Sequence, residues 1–150
     1  MSEPRWFSAA VYIPGEGVLV VGGSNSLKPK GLSLAELLTI KRNNSGDSAK
    51  WLERFTMLKP CGWPMATHLN RRVFITERTI FTHEIQVLDL RHKNRGQWSL
   101  IYCDTQFQDN FCLWSIGAFA GKLLLSGELT FLPACLIHTI VGSVTLSFIY

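Results

Sequence analysis

Residues 6 to 23 read WFSAAVYIPGEGVLVVGG, two apolar runs divided by the turn Pro14-Gly15-Glu16-Gly17. Each run, FSAAVYI and VLVVGG, is rich in valine and aromatic residues and bounded by turn formers, which predicts a β-hairpin. The second run ends on Gly22-Gly23, a pair that lets a neighbouring backbone approach where a larger side chain would block it. Both faces of this hairpin are apolar, so it needs cover on both sides. The rest of the chain offers that cover as further copies of the same unit.

The tryptophans mark the copies. Trp6, Trp63 and Trp114 lie at spacings of 57 and 51 residues, and each precedes a pair of small residues: Ala9-Ala10, Ala66-Thr67 and Gly117-Ala118. A short turn and a second apolar run follow each pair: GVLVVGG from Gly17, RRVFITE from Arg71, GKLLLSG from Gly121. Trp51 and Trp98 form a second series at a spacing of 47 residues, each after the second run and before the next unit. A period near fifty residues with four short strands per unit predicts the blades of a β-propeller.

At this point the chain resembles the kelch repeat. The resemblance rests on the strand pair ending in Gly22-Gly23, a polar loop, a strand over Ala35 to Ile40, and an outer strand led by Trp51 and running to Met57. It covers about residues 1 to 127, clear in the first unit, partial in the second and fragmentary in the third. Thr76-Glu77 and Ser126-Gly127 stand where the family carries its double glycine, and Leu38 and Leu88 replace the aromatic of its third strand. The expectation is therefore an all-β fold: a partial kelch-type propeller of about two to three four-stranded antiparallel blades, open rather than closed. The blades span approximately 5–57, 63–102 and 112–127 onward, with an apolar tail over 128–150.

Taken in order, Met1-Ser2-Glu3-Pro4 repeats the Met-x-x-Pro spacing of Met57 to Pro60, so the chain reads as starting inside the repeat. SNSLKPKGL (24–32) is a loop by its Pro, Gly and Ser content. SLAELLTI (33–40) carries helix-favouring residues but is assigned as a strand by the repeat. KRNNSGDSAK (41–50) reads as an exposed turn, and WLERFTM as the outer strand. In the second unit MATHL pairs with RVFIT, and ERTIFTH links them to EIQVLDL. That strand places Ile85, Val87 and Asp89 on one face and Gln86, Leu88 and Leu90 on the other. RHKNRGQ is a basic turn, QWSLIYC the outer strand, CDTQFQDNF a polar link, and SIGAFAGKLLLSG the third hairpin.

The tail from Leu129 to Tyr150 contains no Asp, Glu, Lys or Arg. A hairpin of CLIHTIV and VTLSFIY, joined by a type II′ turn at Gly142-Ser143, would complete the third blade. A membrane helix competes with it, since the run is long enough to span a bilayer, although Pro133 and His138 interrupt it. A third reading makes the tail foreign to the repeat.

Composition is 47% hydrophobic and 17% charged at a net charge of +4, which excludes disorder as the main state and bounds the chain to one domain or part of one. The cations are scattered over loops with no aromatic-interleaved stripe, so a nucleic-acid partner is not indicated. Cys61, Cys103, Cys112 and Cys135 form no C-x-x-C, and His68, His83, His92 and His138 show no ligand spacing with them. No cleavable signal peptide opens the chain, so the cysteines are read as reduced thiols of a cytoplasmic protein. G-x-S-x-G, H-E-x-x-H and P-loop patterns are missing from the sequence. No catalytic residue, metal ligand or cofactor is assigned, and Cys61 beside His68 reads as a packed thiol.

A propeller scaffold presents loops to a partner. The candidates are Arg5, the loop residues Ser24, Asn25, Lys28 and Lys30, and Arg71 and Arg78 of the second unit, because Arg grips a carboxylate through paired hydrogen bonds. The resemblance implies a protein-binding module for an acidic or polar peptide segment. In the family such propellers select substrates for cullin-type ubiquitin ligase adaptors, and others bind actin. A copper oxidase shares the propeller, but Tyr12, Tyr102 and Tyr150 lack the Cys and His company that chemistry needs.

Overall fold

The computed structural model describes residues 1–43, 46–78, 84–91, 97–102, 111–129 and 139–144. It is all-β, with no helix among the described residues. The strands are β1 (Ala9–Ile13), β2 (Gly17–Val21), β3 (Leu32–Asn43), β4 (Gly46–Cys61), β5 (Pro64–Leu69), β6 (Arg72–Glu77), β7 (Glu84–Asp89), β8 (Gln97–Tyr102), β9 (Phe111–Phe119), β10 (Lys122–Leu129) and β11 (Thr139–Val144). They form three antiparallel sheets in chain order, β1-β2-β3-β4, β5-β6-β7-β8 and β9-β10-β11. First strands are neighbours, β1 packing on β5 and β5 on β9, and the sheets stack side by side without closing into a ring.

Each sheet opens on a hairpin whose turn follows from its residues. Glu16 donates its N–H to the Ile13 carbonyl across Pro14-Gly15, and Gly15 sits at φ +79°. Proline before a left-handed glycine is what a type II turn requires. Asn70 and Arg71 both lie at positive φ, as do Ala120 and Gly121, and each pair joins its strands in two residues as a type I′ turn does.

The core lies between the sheets. Leu19, Val21, Ala35, Leu37, Phe55 and Met57 of the first sheet meet Val73, Ile75 and Leu88 of the second. The opposite face of the second sheet, Phe74, Ile85 and Val87, meets Ile116, Leu123 and Leu125 of the third. A sheet buried on both faces explains why Val73, Phe74 and Ile75 run apolar in succession rather than alternating with polar residues.

This packing shifts the repeat by one residue from the Trp6–Trp63 match. Aligning those tryptophans equates Ala9 with Ala66 and so their cross-strand partners Val21 and Ile75, yet Val21 faces forward to the second sheet and Ile75 faces back to the first. A slip of one residue exchanges the two faces of a strand. Matching Phe7 to Trp63 restores the parity, pairing Leu19 with Phe74 and Val20 with Ile75. Up to the hairpin turn the interval is then the 56 residues that also separate Pro4 from Pro60 and Met1 from Met57, and beyond it 55, because the β5–β6 turn is one residue shorter than the β1–β2 turn. Gly22-Gly23 then match Glu77-Arg78 and, in the third sheet, Gly127-Glu128, which directly follow the register shift between Ser126 and Gly127. The second tryptophan series stands unchanged: Leu38 pairs with Trp51 as Leu88 pairs with Trp98.

Two expectations are corrected. Residues 41–50 are not simply a turn, because β3 continues to Asn43 and β4 resumes at Gly46, paired through Arg42 with Asp47. These strand ends reach beyond their neighbour β2, whose pairing stops at Leu38, so no sheet partner demands apolar residues there. Gly142-Ser143 is not a turn either: β11 runs straight through it, with Gly142 opposite Leu125 and Ser143 opposite Leu124. Pairing with β10 along its whole length outweighs the local turn preference of Gly-Ser. No helix of the described residues is long and apolar enough to cross a membrane. Residues 44–45, 79–83, 92–96, 103–110, 130–138 and 145–150, and with them His83, His92, Cys103, Cys135 and His138, lie outside the described residues.

Candidate functional site

The hairpin strands run the same way in each unit, so the molecule has two ends. At one end lie the turns Pro14-Gly15-Glu16, Asn70-Arg71 and Ala120-Gly121; at the other lie Trp6, Phe7, the loop after β2, the Gly62-Trp63 connection and Arg78.

The second end is organised by Gly22 and Gly23, at φ +56° and +88°. A Cβ on Gly22 would stand 2.6 Å from the Cys61 carbonyl oxygen, and one on Gly23 2.7 Å from that of Trp6. The close approach is used for hydrogen bonds: Gly23 donates to the Cys61 carbonyl at 2.9 Å, and Trp6 and Ser24 exchange N–H and C=O at 2.9 Å. In the second unit Arg78 donates its backbone N–H to the Trp63 carbonyl at 3.1 Å, and Glu77 adds its side chain, Oε1 accepting from the N–H of Gly62 at 2.7 Å and of Trp63 at 3.3 Å.

Three aromatics are left open around this framework. Phe7 stacks on Trp63 with ring centroids 4.4 Å apart and an interplanar angle of 11°. Trp6, Phe7 and Trp63 are 49%, 56% and 51% exposed. Phe7 also sits at φ +58°, a conformation bulky residues rarely adopt and one that concentrates at binding sites. This pair went unread in the sequence, where Trp6 and Trp63 served as repeat markers. The signal was present as the equal 56-residue intervals, which set Phe7 opposite Trp63 as its repeat equivalent.

The expected partner-binding residues separate. Ser24 is buried and its Oγ donates to the Gly62 carbonyl at 3.4 Å. Asn25 is buried too, its Oδ1 accepting from the N–H groups of Leu27 and Lys28 at 3.0 and 2.8 Å. Both shape the loop instead of facing outward. Lys28 is exposed and pairs with Glu3 at 3.5 Å, and Lys30 and Arg78 are exposed at the same end.

Arg5 does not reach the surface: its side chain is 0% exposed and that of its ion-pair partner Glu36 is 2% exposed. The guanidinium also donates to the carbonyls of Gly22 and Leu34 at 3.2 and 3.0 Å. Burial would push the Glu36 carboxyl up, but hydrogen bonds from Ser2 and the charge of Arg5 outweigh it and hold the carboxyl below its ordinary value. Arg5 is a pin between the first residues and the sheet.

Arg71 lies at the turn end. With Ile13, Pro14, Glu16, His68 and Leu90 it borders a cleft of about 400 Å³ between the first two sheets. Arg71 approaches Glu16 at 3.7 Å, and Leu90 donates its N–H to the Arg71 carbonyl at 3.0 Å. Burial lowers the affinity of His68 for a proton; Glu16 opposes this and Arg71 adds to it. Cys61 is buried and free, its thiol pushed far up by burial and by Glu77, so it packs as an apolar group. No group of three or more His, Cys, Asp or Glu among the described residues could hold a metal ion. No family model, curated protein or solved structure matches the chain.

Proposed function

We propose that the chain is a protein-binding module of the kelch type, which takes an acidic segment of a partner protein at the end carrying Trp6, Phe7 and Trp63. The observation that carries this reading is the exposed Phe7–Trp63 stack, with Phe7 kept in a strained backbone conformation. Exposed aromatics supply large contact area at low entropic cost and are enriched in binding hot spots. Lys28, Lys30 and Arg78 at the same end supply positive charge, which favours acidic partners and accelerates encounter. Arg5, Ser24 and Asn25 serve the reading indirectly, by building the loop and its seat.

The biological role that fits such a module is recognition of substrates for a cullin-type ubiquitin ligase adaptor in the cytoplasm, as the resemblance implies. Tryptophan fluorescence, titrated with a peptide of alternating Glu and Phe and with its Lys–Phe counterpart, tests the recognition step. Saturable quenching by the acidic peptide, weakened by salt and lost in Phe7→Ala, is expected. Equal response to both peptides removes the charge argument, and no response to either removes the site. Co-sedimentation with filamentous actin would instead assign the module to the cytoskeleton.

A further inference from the structure

The chain uses one kind of interface twice. The back face of the second sheet is covered by the first, and the back face of the third sheet by the second. The back face of the first sheet carries Ala10, Tyr12, Val18, Leu38 and Trp51, repeat equivalents of Ala66, His68, Val73, Leu88 and Trp98. In the second sheet Val73 and Leu88 are wholly buried; in the first, Val18 and Leu38 are only half-buried. Tyr12 and Ile40 are 65% and 60% exposed beside a shallow cleft of about 410 Å³ bordered by Val18 and Leu38.

The seat on this face is partly taken in a telling way. The end of β4 lies on the second sheet, where Lys59 donates its N–H to Gln86 Oε1 at 2.9 Å. Glu36 is the repeat equivalent of Gln86, and its Oε1 accepts the Ser2 N–H at the same 2.9 Å. Residues 2 to 5 thus occupy on the first sheet the place that a preceding outer strand occupies on the second.

The chain owns the complementary surface. On the third sheet Phe119, Gly117, Lys122 and Leu124 share the face turned away from the second sheet, by register with one another and by opposition to Leu123 and Leu125. Phe119 is 72% exposed, and nothing stands within 4 Å of a Cβ built on Gly117. We propose that two copies of this chain assemble head to tail, the forward face of each third sheet seated on the back face of the other's first sheet. Each copy contributes three sheets, and the resulting ring of six falls within the four to eight that close a propeller. The two-fold axis makes both junctions identical and leaves no face over for further growth.

The mass of the full chain in solution, by light scattering after size exclusion and by native mass spectrometry, tests this. Twice the mass of one chain is expected, falling to a single chain in Leu38→Asp with the far-ultraviolet dichroism of the strands retained. A folded monomer of the unaltered chain, or polymers of indefinite length, overturns the proposal. Should Leu38→Asp fail to fold, cross-linking decides: a short bismaleimide should join Tyr12→Cys to Phe119→Cys in a mixture, above the background of the unaltered chain, and neither variant to itself. Self-linking of Tyr12→Cys alone would mean a face-to-face dimer and overturn the head-to-tail arrangement. Peptide binding at the aromatic end is read separately, so either result stands without the other.

Discussion

Gly22 and Gly15 both have positive φ, yet substitution should cost them differently. Gly15 has nothing within 4 Å of a built Cβ, whereas at Gly22 the Cys61 carbonyl oxygen stands at 2.6 Å and Pro64 Cγ at 3.1 Å. Gly15→Ala meets only the left-handed penalty, about 1–2 kcal/mol. Gly22→Ala adds a clash with backbone that cannot step aside, for a total of about 2–5 kcal/mol. Paired chemical denaturation of the two variants measures this, and equal losses would mean that the close approach at Gly22 is not tight. Glu36 gives a second contrast. Its carboxyl titrates lower in the folded chain than its ordinary 4.5, so its stabilising effect is complete above that pH. The effect is lost as pH falls through the folded value. Glu36→Gln should cost about 3–5 kcal/mol at pH 7 by leaving Arg5 without a counter-charge, and should make the acid limb shallower. An acid limb as steep as that of the unaltered chain would place the titration elsewhere, with Asp89 the next candidate because Arg91 and Arg72 also hold it low.

At the scale of elements, the β5–β6 turn asks two residues to adopt positive φ, and only Asn70 suits it. Arg71→Gly should raise stability by about 1 kcal/mol, since the Arg71 side chain is 66% exposed and the contacts it gives up, to Glu16 at 3.7 Å and to the Leu90 carbonyl at 3.5 Å, are long. A fall in melting temperature would show that Arg71 contributes more to the cleft wall than its 3.7 Å contact suggests. Hairpins such as this were the most legible part of the sequence, because turn chemistry and apolar runs are local signals. Strand β3 was legible only through the repeat, its Ala-Glu-Leu-Leu content favouring helix. The turn expected at Gly142-Ser143 failed for the converse reason: its local signal was good, but β10 supplies partners that sequence does not display. The candidate site was legible by half. Lysines on a loop can be read from composition, but the burial of Arg5, Ser24 and Asn25 depends on Glu36, Gly62 and Glu3, residues 31, 38 and 22 positions away.

At the scale of the molecule, stability resides in junctions between sheets, and the second sheet takes part in both. Repeat arrays of this kind are held by nearest-neighbour interfaces, so damage to one junction should be felt first by the sheets that share it. Leu19 belongs to the junction of the first and second sheets and Phe74 to that of the second and third, and both are wholly buried. Leu19→Ala and Phe74→Ala should each cost about 2–5 kcal/mol, from lost transfer energy and the cavity left behind. Amide hydrogen exchange separates their consequences. Phe74→Ala should speed exchange in β9 and β10 well beyond the change in β1 and β2, because the cluster with Ile116, Leu123 and Leu125 loses its largest wholly buried side chain while the residues of the first junction are unaltered. Leu19→Ala should do the reverse. If both variants instead accelerate exchange equally in every strand, the three sheets open as one unit, and the coupling must run along β1, β5 and β9, which touch in sequence across both junctions.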